Sequence, residues 1–174
     1  MICGDDNLQY VLDTSILVEM SERYYPEIFP SFWDKISELI NGGFIVSLTE
    51  VQKELDKGKF SKEWDLIHIR SGKKFFSDFE GDELLEIHKI IELDIYSERF
   101  RSRNGGVTSL EKEWGSYGEV VADPFLICHG LYYNSTVVTM ENPNKGHNIP
   151  HVCHELNVRC IGLKEFLKEN HFKF

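Results

Sequence analysis

The sequence has no long apolar run and no sign of a secretory leader. None of its hydrophobic stretches approaches the ~18 residues that a membrane-spanning helix needs. The first residues, from Met1 to Asn7, are polar and acidic, and they lack the basic start and apolar stretch of a secretion signal. We therefore predict a cytoplasmic protein that does not act in a membrane.

Cysteine pairs with metal-binding or redox spacing are also missing. The chain has four cysteines, and no two of them form a Cys-x-x-Cys pair. In a cytoplasmic chain they are most simply interpreted as reduced thiols, mostly buried. A zinc site could be suspected at His147, His151, Cys153 and His154, but no second pair supports a closed set of four ligands. We therefore do not favour zinc.

Positive charge is scarce. The chain carries 19 Lys and Arg residues against 29 Asp and Glu residues, which gives a net charge of −10. Affinity for nucleic acid over a broad face comes from Lys and Arg, so this balance argues against such a face. It does not argue against an enzyme that meets nucleic acid at one metal site, because clustered carboxylates bind cations.

The hydrophobic pattern alternates between strands and helices in one domain of 174 residues, 1–174. Strands are predicted at 10–12, 44–48, 136–139 and 158–162. Helices are predicted at 26–40, at 49–55, from residue 123, from residue 150 and at 163–168, with two short helical patterns in 63–79 and a longer helix in 82–100. Ile28, Trp64, Phe75 and Phe76 are expected in the core, and His88 and His129 in the core or at a cleft edge. This alternation predicts an α/β fold with a parallel sheet and helices on both faces.

Four acidic residues occupy comparable places in this pattern. Asp13 follows the first strand, Glu54 lies in the helix after the second, Asp123 opens a helix, and Glu141 follows the strand at 136–139. Functional sites of parallel sheets form at the carboxyl ends of the strands. Hydrolysis of a phosphodiester needs an activated water and stabilisation of charge, and hard cations held by oxygen ligands supply both. The pattern therefore favours a site for Mg²⁺ or Mn²⁺.

The segments around these acids resemble the four motifs of PIN domains. They read Leu12-Asp13-Thr14-Ser15, Val51-Gln-Lys-Glu54-Leu55, Ala122-Asp123-Pro124 and Val137-Val-Thr139-Met140-Glu141-Asn142. Residues 148–153 look like an uncharacterised prokaryotic PIN-like group that is related to the VapC toxins. The resemblance implies a three-layer α/β/α fold and a ribonuclease that uses one or two Mg²⁺ or Mn²⁺ ions. It also implies RNA as substrate, a possible antitoxin protein as partner and a possible homodimer.

The chain departs from these motifs at the fourth acid, where most PIN domains have Asp and this chain has Glu141. Glu50 competes with Glu54, since the two are four residues apart on one helix; we favour Glu54 because a leucine follows it. Further candidates with supporting roles are Ser15, Glu119, Thr139 and Asn142. The basic residues Arg99, Arg101 and Arg103 guide RNA toward the acids or form a solvated surface.

Other interpretations of the same residues stay open. Asp13 and Asp123 can each act only as a helix cap, and residues 141–143 can form an ordinary turn. The protein can also be an inactive PIN-like module that binds RNA or another protein. A phosphohydrolase of the haloacid dehalogenase type is disfavoured, because Ser15 occupies the place of its second Asp and no phosphate-binding glycine loop occurs.

Overall fold

The computed structural model describes residues 9–58, 64, 75–78, 122–146 and 148–173. These residues contain one sheet of five short parallel strands in the order β3-β2-β1-β4-β5. The strands are β1 (Tyr10–Leu12), β2 (Ile45–Leu48), β3 (Phe76–Ser77), β4 (Thr136–Val138) and β5 (Cys160–Ile161).

Strand β1 lies in the middle of the sheet. Tyr10 pairs with Ile45 of β2 on one side and with Thr136 of β4 on the other. All three residues of β1 are buried, as is typical of a parallel strand covered on both faces. After β3 the chain crosses to the other side of β1, so the strand order reverses between β1 and β4. In open α/β sheets this switch point is where ligands bind.

Six helices accompany the sheet in the described part of the chain. They are α1 (Thr14–Arg23), α2 (Pro30–Gly42), α3 (Thr49–Gly58), α4 (Asp123–Tyr133), α5 (Ile149–Glu155) and α6 (Leu163–Glu169). Helix α1 contacts α3, and α4 contacts α5. The predicted α/β fold with a parallel sheet is confirmed, and it is compatible with a three-layer α/β/α arrangement. None of the helices within the described ranges has the length and apolar content to cross a membrane.

Helix α2 begins four residues later than the sequence pattern predicts. Residues 25–29 form a turn, and Pro30 is the first residue of the helix. Proline disfavours a helical conformation at the residue before it and suits the first helical position, which explains the later start. Ile28 is consequently 65% exposed, so its expected place in the core is wrong. The helix ends before Gly43, whose φ of 76° is left-handed.

The third strand was not predicted. Helical patterns were expected in 63–79, but Phe76 pairs with Ser47 of β2 in a parallel strand of two residues. Two residues are too short to give an alternating pattern in the sequence. Trp64, Phe75 and Phe76 are buried as expected. The rest of 63–79 and the predicted helix at 82–100 lie outside the described residues.

The cysteines follow the expected distribution where they are described. Cys128 and Cys153 are buried free thiols, and Cys160 is a half-buried one. Cys3 lies outside the described residues.

Candidate functional site

Asp13 lies where the strand order reverses. It follows β1 in an extended conformation, and its backbone N–H donates to the carbonyl of Val138 in β4 at 3.0 Å. The residue is only 5% exposed. Although Asp13 occupies the N-cap position of α1, its side chain makes no capping hydrogen bond. The carboxylate of Asp13 therefore does not cap α1 through a hydrogen bond, and it binds other partners.

Two hydroxyl groups hold the carboxylate of Asp13. The hydroxyls of Ser15, in α1, and Thr139, after β4, both donate to Oδ2, the second at 2.8 Å. Ser15 Oγ in turn accepts from the backbone N–H of Met140 at 3.0 Å. Among the described residues no donor forms a hydrogen bond with Oδ1. The site therefore orients the carboxylate through one oxygen and leaves the other oxygen available to a ligand.

The electrostatic surroundings of Asp13 are acidic. Burial raises the pKa of its carboxyl group, the hydrogen bonds from Ser15 and Thr139 lower it, and the charges of Glu141 and Glu54 raise it; burial dominates. Three carboxylates therefore share one neighbourhood at the carboxyl end of the sheet. A cation placed among them would relieve their repulsion.

Glu54, in α3, forms hydrogen bonds to α1 and to the residue that precedes α4. Its Oε2 accepts a hydrogen bond from the hydroxyl of Thr14 in α1, and its Oε1 accepts one from the backbone N–H of Ala122 at 3.0 Å. Glu50, one turn earlier in α3, has Oε1 at 3.8 Å from Lys53 Nζ. Of the two competing glutamates, the structure places Glu54 beside Asp13.

Asp123 is the first residue of α4 and is buried, with 9% exposure. Ala122 takes the N-cap position of α4, so Asp123 lies one residue inside the helix rather than at its cap. Because Asp123 directly follows Ala122, whose N–H binds Glu54, the start of α4 is held next to the acid of α3.

Glu141 is engaged with the start of α5. Its Oε2 accepts from the backbone N–H of Ile149 at 2.7 Å, while its own N–H donates to Thr139 Oγ1 at 3.2 Å. The exposed Asn142 accepts from the N–H of Asn144 at 2.9 Å through Oδ1, as in an ordinary turn. The segment thus both forms a turn and brings the charge of Glu141 close to Asp13.

The acids do not meet as a ready-made cage. In the part of the chain that the structure describes, no group of three or more His, Cys, Asp and Glu side chains is arranged to hold a metal ion. The carboxylates of Glu54 and Glu141 are held by backbone amides instead. This geometry still suits Mg²⁺, which keeps several waters and binds through one or two carboxylates together with substrate phosphates. Asp13 would hold the ion directly.

Several predicted residues lie outside the described ranges, namely Glu119, Arg99, Arg101, Arg103, His88 and His147. Of the suspected zinc set, His154 is exposed and lies 3.4 Å from Glu155 Oε1, His151 is half-buried, and Cys153 is buried. His129, expected in the core or at a cleft edge, is buried.

One contributor to the site was missed from the sequence. Thr14 binds Glu54, yet the pattern singled out only its neighbours Asp13 and Ser15. Its place in the Asp13-Thr14-Ser15 segment was the available signal. The backbone amides of Ala122, Met140 and Ile149 carry no signal in the sequence, because every residue except proline has one.

Fold and site together define a parallel α/β protein with a buried, hydroxyl-held carboxylate at the switch point of its sheet. A family model described as a domain of unknown function, DUF4411, matches residues 10–174. The chain belongs to this family. No curated protein matches it.

Proposed function

We propose that this protein is a metal-dependent endoribonuclease whose divalent cation, Mg²⁺ or Mn²⁺, binds at Asp13. The single observation that carries the proposal is the state of the Asp13 carboxylate. It is buried, two hydroxyls fix its Oδ2, and Oδ1 stays available beside two further acids. A buried carboxylate with acidic neighbours is costly in its charged form, and a cation bound beside it offsets that cost, as protonation does.

The residues of the chain divide the work as follows. Asp13 would hold the ion, and Ser15 and Thr139 fix the direction of its carboxylate. Glu54 and Glu141 add negative charge beside Asp13, and Asp123 follows Ala122, whose N–H binds Glu54. These three acids would supply further oxygen ligands, directly or through water. When bound, the cation activates water and stabilises charge on the phosphate oxygens. The choice of RNA as substrate rests on the resemblance of the four motifs to PIN domains.

A cleavage assay tests this function. An RNA pool of random sequence incubated with Mn²⁺ should be cut by the natural protein and should stay intact in EDTA. Asp13→Asn and Asp123→Asn should each lower the rate by on the order of 100-fold, the scale expected when one electrostatic contact is lost. Asp34→Asn, on the exposed side of α2, is the control and should cleave normally. Full activity in Asp13→Asn or Asp123→Asn would contradict the proposal.

A second candidate is an inactive module on the same fold that binds RNA or a protein. The observation in its favour is that backbone amides already occupy the carboxylates of Glu54 and Glu141. Such a module would bind its partner equally well with and without the cation, and it would leave RNA intact in the same assay.

The remaining predictions concern partners and location. An antitoxin-like partner would be basic, since the net charge of −10 attracts opposite charge. That partner, a homodimer and a cytoplasmic location stay predictions.

A further inference from the structure

A groove runs from the candidate site along α6. Its cavity of about 580 Å³ begins at Thr139 and Glu141, which belong to the candidate site, and continues past Gly162 at the end of β5. Leu163, Lys164, Leu167 and Lys168 of α6 form one wall, and Tyr24 and Phe172 face the cavity as well. We call this cavity the α6 groove. Its size is within the range of pockets that bind small organic groups.

The apolar part of the α6 groove is aromatic and packs on the buried core. The ring of Tyr24 stacks on buried Phe32 with centroids 4.3 Å apart and planes 8° apart. Phe172 contacts the same ring with centroids 5.2 Å apart. Phe32, which is buried, therefore packs against both wall aromatics and joins them to the core. Flat faces beside Leu163 and Leu167 suit a planar ring such as a nucleobase, because stacking on aromatic side chains tolerates every base.

Two lysines line the α6 side of the groove. Lys164 and Lys168 are exposed and lie one helical turn apart, about 6 Å along the axis of α6. Neither forms an ion pair with any residue that the structure describes. Within the described ranges these two lysines therefore keep their positive charge available, in a chain whose net charge is −10. They complement the negative charge of a phosphate group.

We propose that the α6 groove binds a nucleotide of the RNA next to the phosphate that is cut. The base lies against Tyr24, Phe172 and the leucines, and Lys164 and Lys168 contact its phosphate. A base inside a duplex is paired and stacked, so only an unpaired base enters such a groove. The substrate class is therefore single-stranded RNA. This inference rests on the proposed ribonuclease function.

Binding without cleavage tests the groove. A labelled single-stranded RNA hexamer in EDTA, followed by fluorescence anisotropy, should bind more tightly than a duplex of the same sequence. Lys164→Gln/Lys168→Gln should weaken binding about tenfold at low salt and reduce the slope of log affinity against log salt by about 1.4. Phe172→Leu should weaken binding about tenfold without changing that slope.

The matched control removes the same charge elsewhere. Lys35→Gln/Lys53→Gln changes two lysines, one in α2 and one in α3, that do not line the groove, and it should bind RNA like the natural protein. Thermal unfolding shows whether Phe172→Leu stays folded. If it does not, the binding of Lys164→Gln/Lys168→Gln alone tests the groove. The groove is refuted if the natural protein binds no RNA, if it binds duplex equally well, or if the lysine variant and its control bind alike.

The failures of the two proposals are distinguishable in the Mn²⁺ cleavage assay. If Lys164→Gln/Lys168→Gln cleaves RNA as the natural protein does, the groove proposal is rejected and the ribonuclease proposal stands. If that variant loses RNA binding and the natural protein cleaves no RNA, the groove stands as an RNA-binding surface and the ribonuclease proposal is rejected.

Discussion

Ser15, in α1, and Thr139, after β4, reach the same oxygen of Asp13. Hydrogen bonds to a carboxylate are worth more than neutral ones, and two of them fix the group at the end of β1. A ligand at Oδ1 then meets a carboxylate that is already oriented. In the proposed metal site, Ser15 and Thr139 would position the carboxylate of Asp13 rather than bind the cation themselves.

A second buried polar contact, at His129, predicts how stability depends on pH. His129 Nδ1 lies 2.7 Å from the hydroxyl of Ser135, and burial lowers the pKa of His129 to about 4 from 6.5. Between these pH values the unfolded chain therefore binds more protons at His129 than the folded chain does. The contribution of His129 to the free energy of unfolding should be complete above pH 6.5 and should fall by about 3 kcal/mol as the pH drops to 4.

Urea unfolding at several pH values measures this effect. His129→Gln should lose most of the decline between pH 6.5 and pH 4 that the natural protein shows. His154→Gln, whose side chain is 85% exposed, should keep it. An equal decline in His129→Gln and the natural protein would show that His129 is not its source.

At the scale of elements, α4 packs closely on the sheet at Gly130, which has no side chain. A Cβ atom at Gly130 would lie 2.4 Å from Val158 Cγ1 and 3.0 Å from Val137 Cγ2. Alanine is normally the better helix former by about 1 kcal/mol. Here the clash should dominate, so Gly130→Ala should lower the free energy of unfolding by about 1–3 kcal/mol.

The control for this substitution is Gly146→Ala, in the loop before α5, where a new Cβ meets nothing within 4 Å. Urea unfolding should give it a midpoint within the range of ordinary surface substitutions, about ±0.5 kcal/mol. If Gly130→Ala were as stable as Gly146→Ala, α4 would not approach β4 as closely as the structure shows.

The elements differ in how well the sequence predicts them. The stripe of Phe32, Ile36, Leu39 and Ile40 predicts α2, because a helix repeats its buried face over several turns. The turn before Pro30 shifts its start, which is a local effect of proline. Strand β3 exists only through its pairing with β2, and two residues carry no pattern of their own. Parallel pairing is a property of the fold, so it is invisible in the segment itself.

At the scale of the molecule, the topology explains why residues far apart in the chain meet. Asp13 and Thr139 are separated by 126 residues, yet they follow adjacent strands β1 and β4. The rule that sites form at the carboxyl ends of parallel strands predicted this meeting. The same rule does not predict that Glu54 and Glu141 are held by amides, because those contacts depend on side-chain conformations.

Calorimetric titration with Mn²⁺ tests the central claim, that the acids around Asp13 hold a divalent cation. The natural protein should bind Mn²⁺ saturably, and Asp13→Asn/Asp123→Asn should not, while circular dichroism shows the same fold in both. Asp34→Asn/Asp56→Asn removes the same charge at exposed positions and should bind like the natural protein. Absent binding in the natural protein, or equal binding in Asp13→Asn/Asp123→Asn, would contradict the account.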